Sequence, residues 1–110
     1  MPINTALPIC VVDLETFDLT GEKIWCAGFT DATGSWCVEW DEQHTPDYIE
    51  RLATLSTLVF HNAKFDVRVM REHNTTIEPG SYYDTMIMSY VHNPRREGGH
   101  SLGSWGHELG

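Results

Sequence analysis

The stretch PICVVDLET, residues 8–16, decides the fold. It opens on a short run of apolar, largely β-branched residues and closes on two acids, Asp13 and Glu15, with one residue between them. A continuous apolar run of this length predicts a buried central strand over residues 8–14. Outward from it, residues 23–30 (KIWCAGFT) read as a second strand, residues 31–34 (DATG) as a turn, and residues 35–40 (SWCVEW) as a third strand. In the third strand Trp36, Val38 and Trp40 share one face, and Cys37 and Glu39 the other. Three strands so closely joined predict an antiparallel meander.

Thr45-Pro46 predicts the start of a helix, with Thr45 as N-cap and Pro46 in the first helical position. Ile49, Leu52, Ala53 and Ser56 fall on one face of it. Residues 57–60 (TLVF) predict a short buried strand that pairs in parallel with the first. A second helix follows over roughly residues 63–73. A third begins at Asp84 as N-cap, turns Met86, Ile87, Tyr90 and Val91 inward, and ends at Asn93-Pro94. After a loop over residues 95–100, Ser101 reads as the N-cap of a fourth helix with Leu102, Trp105 and Leu109 on one face, weakened by Gly103 and Gly106. The order βββαβα followed by helices predicts a ribonuclease H-like α/β fold. Because the helical pattern is still running at Gly110, the expectation is a single partial domain over residues 1–110, incomplete at its C-terminus.

Composition narrows the function. The net charge is −9, with 7 Lys and Arg against 16 Asp and Glu, so no basic patch exists to grip many duplex phosphates. A carboxylate-rich enzyme that reaches phosphate through divalent cations stays open. The three cysteines, Cys10, Cys26 and Cys37, form no CxxC pair and read as buried free thiols in a reducing cytosol. Residues 1–7 carry neither a basic residue nor a long apolar run, so no signal peptide is expected, and no apolar stretch approaches the ~20 residues of a membrane span. The six histidines show no ligand spacing and read as surface or loop residues; the four tryptophans read as core.

The acids carry the chemistry. Residues i and i+2 of a strand project from one face, so Asp13 and Glu15 point the same way. Like charges so placed repel, and a cation between them relieves the repulsion. Oxygen ligands without paired His or Cys suit Mg²⁺ or Mn²⁺. Asp66 lies in HNAKFD, residues 61–66, directly after the fourth strand. If that strand lies beside the first, the next helix begins over the Asp13/Glu15 end, where ligand sites of open α/β sheets gather. Asn62 can offer an amide there, and Phe65 is either core or a surface for a base.

These motifs resemble those of DEDD 3′–5′ exonucleases. DLET, residues 13–16, is similar to the family's first motif, Asp-x-Glu, and HNAKFD to its second, Asn-x-x-x-(Phe/Tyr)-Asp. KIWC (residues 23–26), YDTM (83–86) and HSLGSWGHELG (100–110) resemble stretches of the proofreading exonuclease domain of bacteriophage family A DNA polymerases. The resemblance implies two divalent ions, Mg²⁺ or Mn²⁺, about 4 Å apart on the scissile phosphate of a single-stranded DNA 3′ end. Asp13 would bridge them, Glu15 would hold the first ion and orient the water, and Asp66 would hold the second. The backbone and Thr16 would contact the terminal nucleotide, and Asn62 and Phe65 would line the single-strand groove. It implies a cytoplasmic setting in a phage-infected or prophage-carrying bacterium.

The family's fourth carboxylate, in a Tyr-x-x-x-Asp or His-x-x-x-x-Asp motif, has no counterpart among Glu72, Glu78, Asp84, Glu97 and Glu108; Asp84 reads as a helix cap. The chain alone is therefore expected to be a poor nuclease, with the remaining segment, joined or as a separate chain, restoring activity. Two other functions fit the same residues. One is a non-catalytic remnant, or half of a split polymerase, that binds metal or a partner chain. The other is an RNA exonuclease similar to ribonuclease D, against which KIWC and the HSLGSWG segment weigh.

Overall fold

The computed structural model describes residues 7–109 except Pro79. The expectation of no leader rests mostly on residues outside that span, as does Gly110 of the HSLGSWGHELG segment. The elements are β1 (Ile9–Thr16), β2 (Ile24–Asp31), β3 (Gly34–Glu39), α1 (Thr45–Leu55), β4 (Thr57–Phe60), α2 (Ala63–Glu72), β5 (Tyr82–Asp84), α3 (Thr85–His92) and α4 (Leu102–Leu109). The strands form one sheet in the order β3-β2-β1-β4-β5. β1, β2 and β3 make the antiparallel meander, and β4 joins β1 in parallel with Ile9 opposite Thr57. β5 extends the sheet in parallel beyond β4. This is the ribonuclease H-like α/β arrangement, with β1 at its centre as its apolar run predicts.

Alternation along β1 separates core from site. Cys10, Val12 and Leu14 are buried and join Phe29, Leu58 and Phe60 in one core with Ile49 of α1 and Val67, Val69 and Met70 of α2. Ile9, Val11, Asp13 and Glu15 point the other way and are exposed, Ile9 by 50% and Val11 by 43%. The reading of residues 8–14 as a buried strand is corrected to that extent: only alternate residues are covered. The register breaks between Glu15 and Thr16, a bulge that re-aims the strand just past the two acids.

Gly21 fixes the loop between β1 and β2 against α2. Its φ is +74°, and a Cβ there would lie 2.4 Å from Cγ2 of the fully buried Val69. Its carbonyl also bonds His73 Nε2 at 2.9 Å. Gly21→Ala is expected to destabilise the chain by about 1–3 kcal/mol, through both the left-handed backbone and the overlap. A urea midpoint unchanged from wild type would contradict this.

Several local expectations are corrected. Thr45 is not the cap of α1: His44 holds the N-cap position without a side-chain bond, and Pro46 is the second helical residue. The Thr45 hydroxyl instead accepts the Asp41 N–H at 2.8 Å, a more buried use for it. In α3 only Met86 of the expected inward set is half-buried; Ile87, Tyr90 and Val91 are exposed. The helix turns Thr85 and Ser89 inward because their hydroxyls have partners. Thr85 Oγ1 donates to the Phe60 carbonyl at 3.2 Å, and Ser89 Oγ accepts Trp105 Nε1–H at 2.7 Å. Ser101 does cap α4, its Oγ accepting the Ser104 N–H at 3.0 Å, but Leu102 and Leu109 are exposed.

Of the tryptophans, Trp36 and Trp40 pack on the core and Trp25 is exposed. Of the thiols, Cys10 is buried, Cys26 half-buried and Cys37 exposed, and all are free. His73 is more than a surface residue: it bridges Glu42 and the Gly21 carbonyl with its ring edge against Trp40. No helix among the described residues is long and apolar enough to cross a membrane.

Candidate active site

The site lies where β1 ends and α2 begins. Asp13 and Glu15 stand on the open face of β1, as their spacing predicts. β4 runs parallel to β1 and delivers the chain to α2, whose fourth residue is Asp66. Asp66 is only 5% exposed, and its Oδ2 is buried without a partner.

The buried Asp66 carboxyl lies within the field of several other acids. Burial pushes the Asp66 carboxyl up to about 7, the Asp13 charge adds to this, and Asp84 and Glu15 contribute further; the Leu14 backbone N–H opposes the rise. Burial also raises Asp13, followed by the charge and hydrogen bond of Glu15, with His61 acting the other way. The Cys26 thiol, on the same sheet face, is pushed up to about 11 by burial first, with Cys37, Glu15 and Asp13 adding to it. Negative charge concentrated this way, around a buried oxygen without a donor, is what a cation relieves. The donor set is all oxygen and fits a hard divalent ion. Among the described residues, though, no three His, Cys, Asp or Glu side chains already stand as a closed ligand group. Asp13 and Glu15 share the open face of β1, and Asp66 is the buried acid of α2 on which their charges act.

The other expected site residues are placed less directly. The Thr16 hydroxyl donates to the Asp18 carbonyl at 2.6 Å and so serves its own loop. Asn62 is the N-cap residue of α2 in a left-handed conformation, φ 71° and ψ 57°, with no side-chain cap bond. Phe65 packs against the core with the Arg68 guanidinium 5.4 Å from its ring centroid.

Asp84 is the N-cap of α3 that the sequence predicts, accepting the Met86 N–H at 2.9 Å and the Ile87 N–H at 3.4 Å. It also accepts the Asn62 N–H at 2.9 Å and the Ala63 N–H at 2.8 Å. Sequence reasoning misses this second role, because no local signal joins residue 84 to residues 62 and 63.

A central mixed sheet carries an acid pair on its middle strand and a buried acid on the helix that follows the neighbouring strand, within an α/β fold of the ribonuclease H-like kind. The sequence matches the 3′–5′ exonuclease family model over residues 6–109, and the chain belongs to that family. Exonuclease domains of the DEDD kind generally depend on divalent metal ions. No curated protein gives a significant match.

Proposed function

We propose that this chain is the proofreading 3′–5′ exonuclease portion of a phage-type family A DNA polymerase, hydrolysing single-stranded DNA from its 3′ end with Mg²⁺ or Mn²⁺. What supports the chemistry is a buried Asp66 carboxyl with an unpartnered Oδ2, raised by burial and by the charges of Asp13 and Glu15 among others, in a chain of the 3′–5′ exonuclease family. KIWC, YDTM and HSLGSWGHELG support the polymerase context.

Divalent ions held here would neutralise the scissile phosphate and polarise an attacking water. Asp13, on the open face of the central strand β1 beside Glu15, would be the ligand shared by the ions. Glu15, exposed at the end of β1, would hold one ion and orient the water. Asp66, buried on α2, would hold the other ion. Asn62 and Phe65 would line the single-strand groove, and the backbone and Thr16 would contact the terminal nucleotide.

Three of the five later acids have oxygens engaged elsewhere. Asp84 takes N–H groups with both oxygens, Glu72 pairs with Arg68 at 3.0 Å, and Glu108 pairs with Arg96 at 3.2 Å. In this reading none of those three supplies the fourth carboxylate, and without one the rate is low.

The acidic surface sets the substrate preference. Retention of a single-stranded oligonucleotide is expected to be weak and to require a divalent ion, tested in gel shifts with Ca²⁺ or chelator. With Mn²⁺, label placed at the 3′ end should be released before label at the 5′ end. Tight duplex binding in chelator, or release from the 5′ end first, contradicts the proposal.

A further inference from the structure

The hydrogen bonds of Asp84 go beyond those of a helix cap. A capping side chain takes N–H groups from the first turn of its own helix, and Asp84 does this with Met86 and Ile87. Its other two bonds reach back across the sheet to the N–H groups of Asn62 and Ala63, at 2.9 and 2.8 Å. Ala63 is the first residue of α2, so Asp84 caps α2 as well, in place of an Asn62 side chain that makes no cap bond. Asn62 is held at φ 71°, a conformation a non-glycine residue keeps only where its surroundings fix it. Thr85 adds to the hold: its hydroxyl bonds the Phe60 carbonyl and His61 Nδ1. Residues 84 and 85 thus tie down the four residues 60–63 between β4 and α2.

We infer that Asp84 is a positioning residue for the carboxylate site: its bonds to Asn62 and Ala63 set where α2 starts, and therefore where Asp66 stands relative to Asp13 and Glu15. The inference rests on the proposed metal reading of those three acids. Asp66 follows Ala63 by less than one turn of rigid helix, so a shift at Ala63 is passed to its carboxyl. Asp66 is buried and has little room to compensate. Groups that orient metal ligands in this way change metal affinity by about 10- to 100-fold when removed.

Asp84→Ser separates the two roles. Serine is a competent N-cap and keeps α3, but its hydroxyl is too short to reach Asn62 and Ala63. In Asp84→Ser, exchange of the Asn62 and Ala63 amide hydrogens is expected to accelerate while that of Met86 is retained. Mn²⁺ affinity, read by calorimetry on the full chain, is expected to fall about 10- to 100-fold. Ser101→Ala, which removes the cap of α4 away from the site, controls for general destabilisation and should keep affinity within about twofold. If Asp84→Ser fails to fold, Asp84→Asn carries the test, since its amide nitrogen cannot accept the Ala63 N–H.

Asp66-dependent Mn²⁺ binding that is unchanged in the Asp84 variant, or weakened no more than in Ser101→Ala, overturns the inference and leaves the metal reading standing. Wild type that binds Mn²⁺ no better than Asp66→Asn overturns the metal reading and the inference with it. Unaltered Asn62 and Ala63 exchange in Asp84→Ser overturns the inference whatever the metal result.

Discussion

Asp66→Asn should stabilise the metal-free chain near pH 8 and remove the stabilisation that Mn²⁺ gives the wild type. Asp66 is buried beside Asp13 and Glu15, and its carboxyl is pushed up to about 7 from an ordinary value near 4. A group raised in the folded state contributes fully below its unfolded value, and the contribution is lost as pH rises through the folded one. The metal-free chain therefore loses stability between about pH 4 and pH 7 through this group. The loss is on the order of 2–4 kcal/mol, since each pH unit of displacement corresponds to about 1.4 kcal/mol and residual solvent contact reduces it. Asparagine carries no charge, and its NH₂ can donate to the neighbouring carboxylates, so the dependence flattens. In chelator at pH 8 the variant should melt several degrees higher than wild type. A variant that melts lower there shows that Asp66 is an ordinary structural carboxylate.

A larger effect is expected on chemistry from Asp13→Ala. Asp13 lies on the central strand, paired with Gly28 across the sheet, and, after burial, its charge raises the Asp66 carboxyl while the Glu15 charge raises its own. Without it two of the three proposed ligands remain. Mispositioning near 1 Å costs on the order of 100-fold, and loss of an aligned acid–base contribution about 100- to 10,000-fold. Mn²⁺-dependent release of 3′ label should accordingly fall by about 100- to 10,000-fold. Because burial and Glu15 already disfavour the Asp13 charge, removing it should leave the melting temperature in chelator unchanged or higher. Release within tenfold of wild type would place the catalytic ligand elsewhere.

The parts of this site that obey short-range periodicity are legible in the sequence. Asp13 and Glu15 share a face because strand side chains alternate, and β4 pairs with β1 in parallel as its short apolar run implies. Asp66 is reached by combining strand order with the start of a helix. What is not legible depends on partners far along the chain. β5 is only the three residues Tyr82–Asp84, too short for a pattern, and it exists through its pairing with β4. The inward face of α3 is chosen by hydroxyl bonds to Phe60 and Trp105 rather than by apolar spacing. The run ICVV in residues 9–12 reads alike whether one face or both are covered, so the exposure of Ile9 and Val11 is learned only from the packing. Thr45 looks like a cap until Asp41 is seen to occupy its hydroxyl.

The central claim is that Asp13, Glu15 and Asp66 together hold a divalent cation. Titration calorimetry of Mn²⁺ into wild type and Asp13→Ala near pH 8, on chains checked to melt cooperatively, tests it most directly. A saturable heat in wild type that disappears or weakens at least tenfold in Asp13→Ala is the predicted result. Equal binding by both chains, or none by either, contradicts the claim.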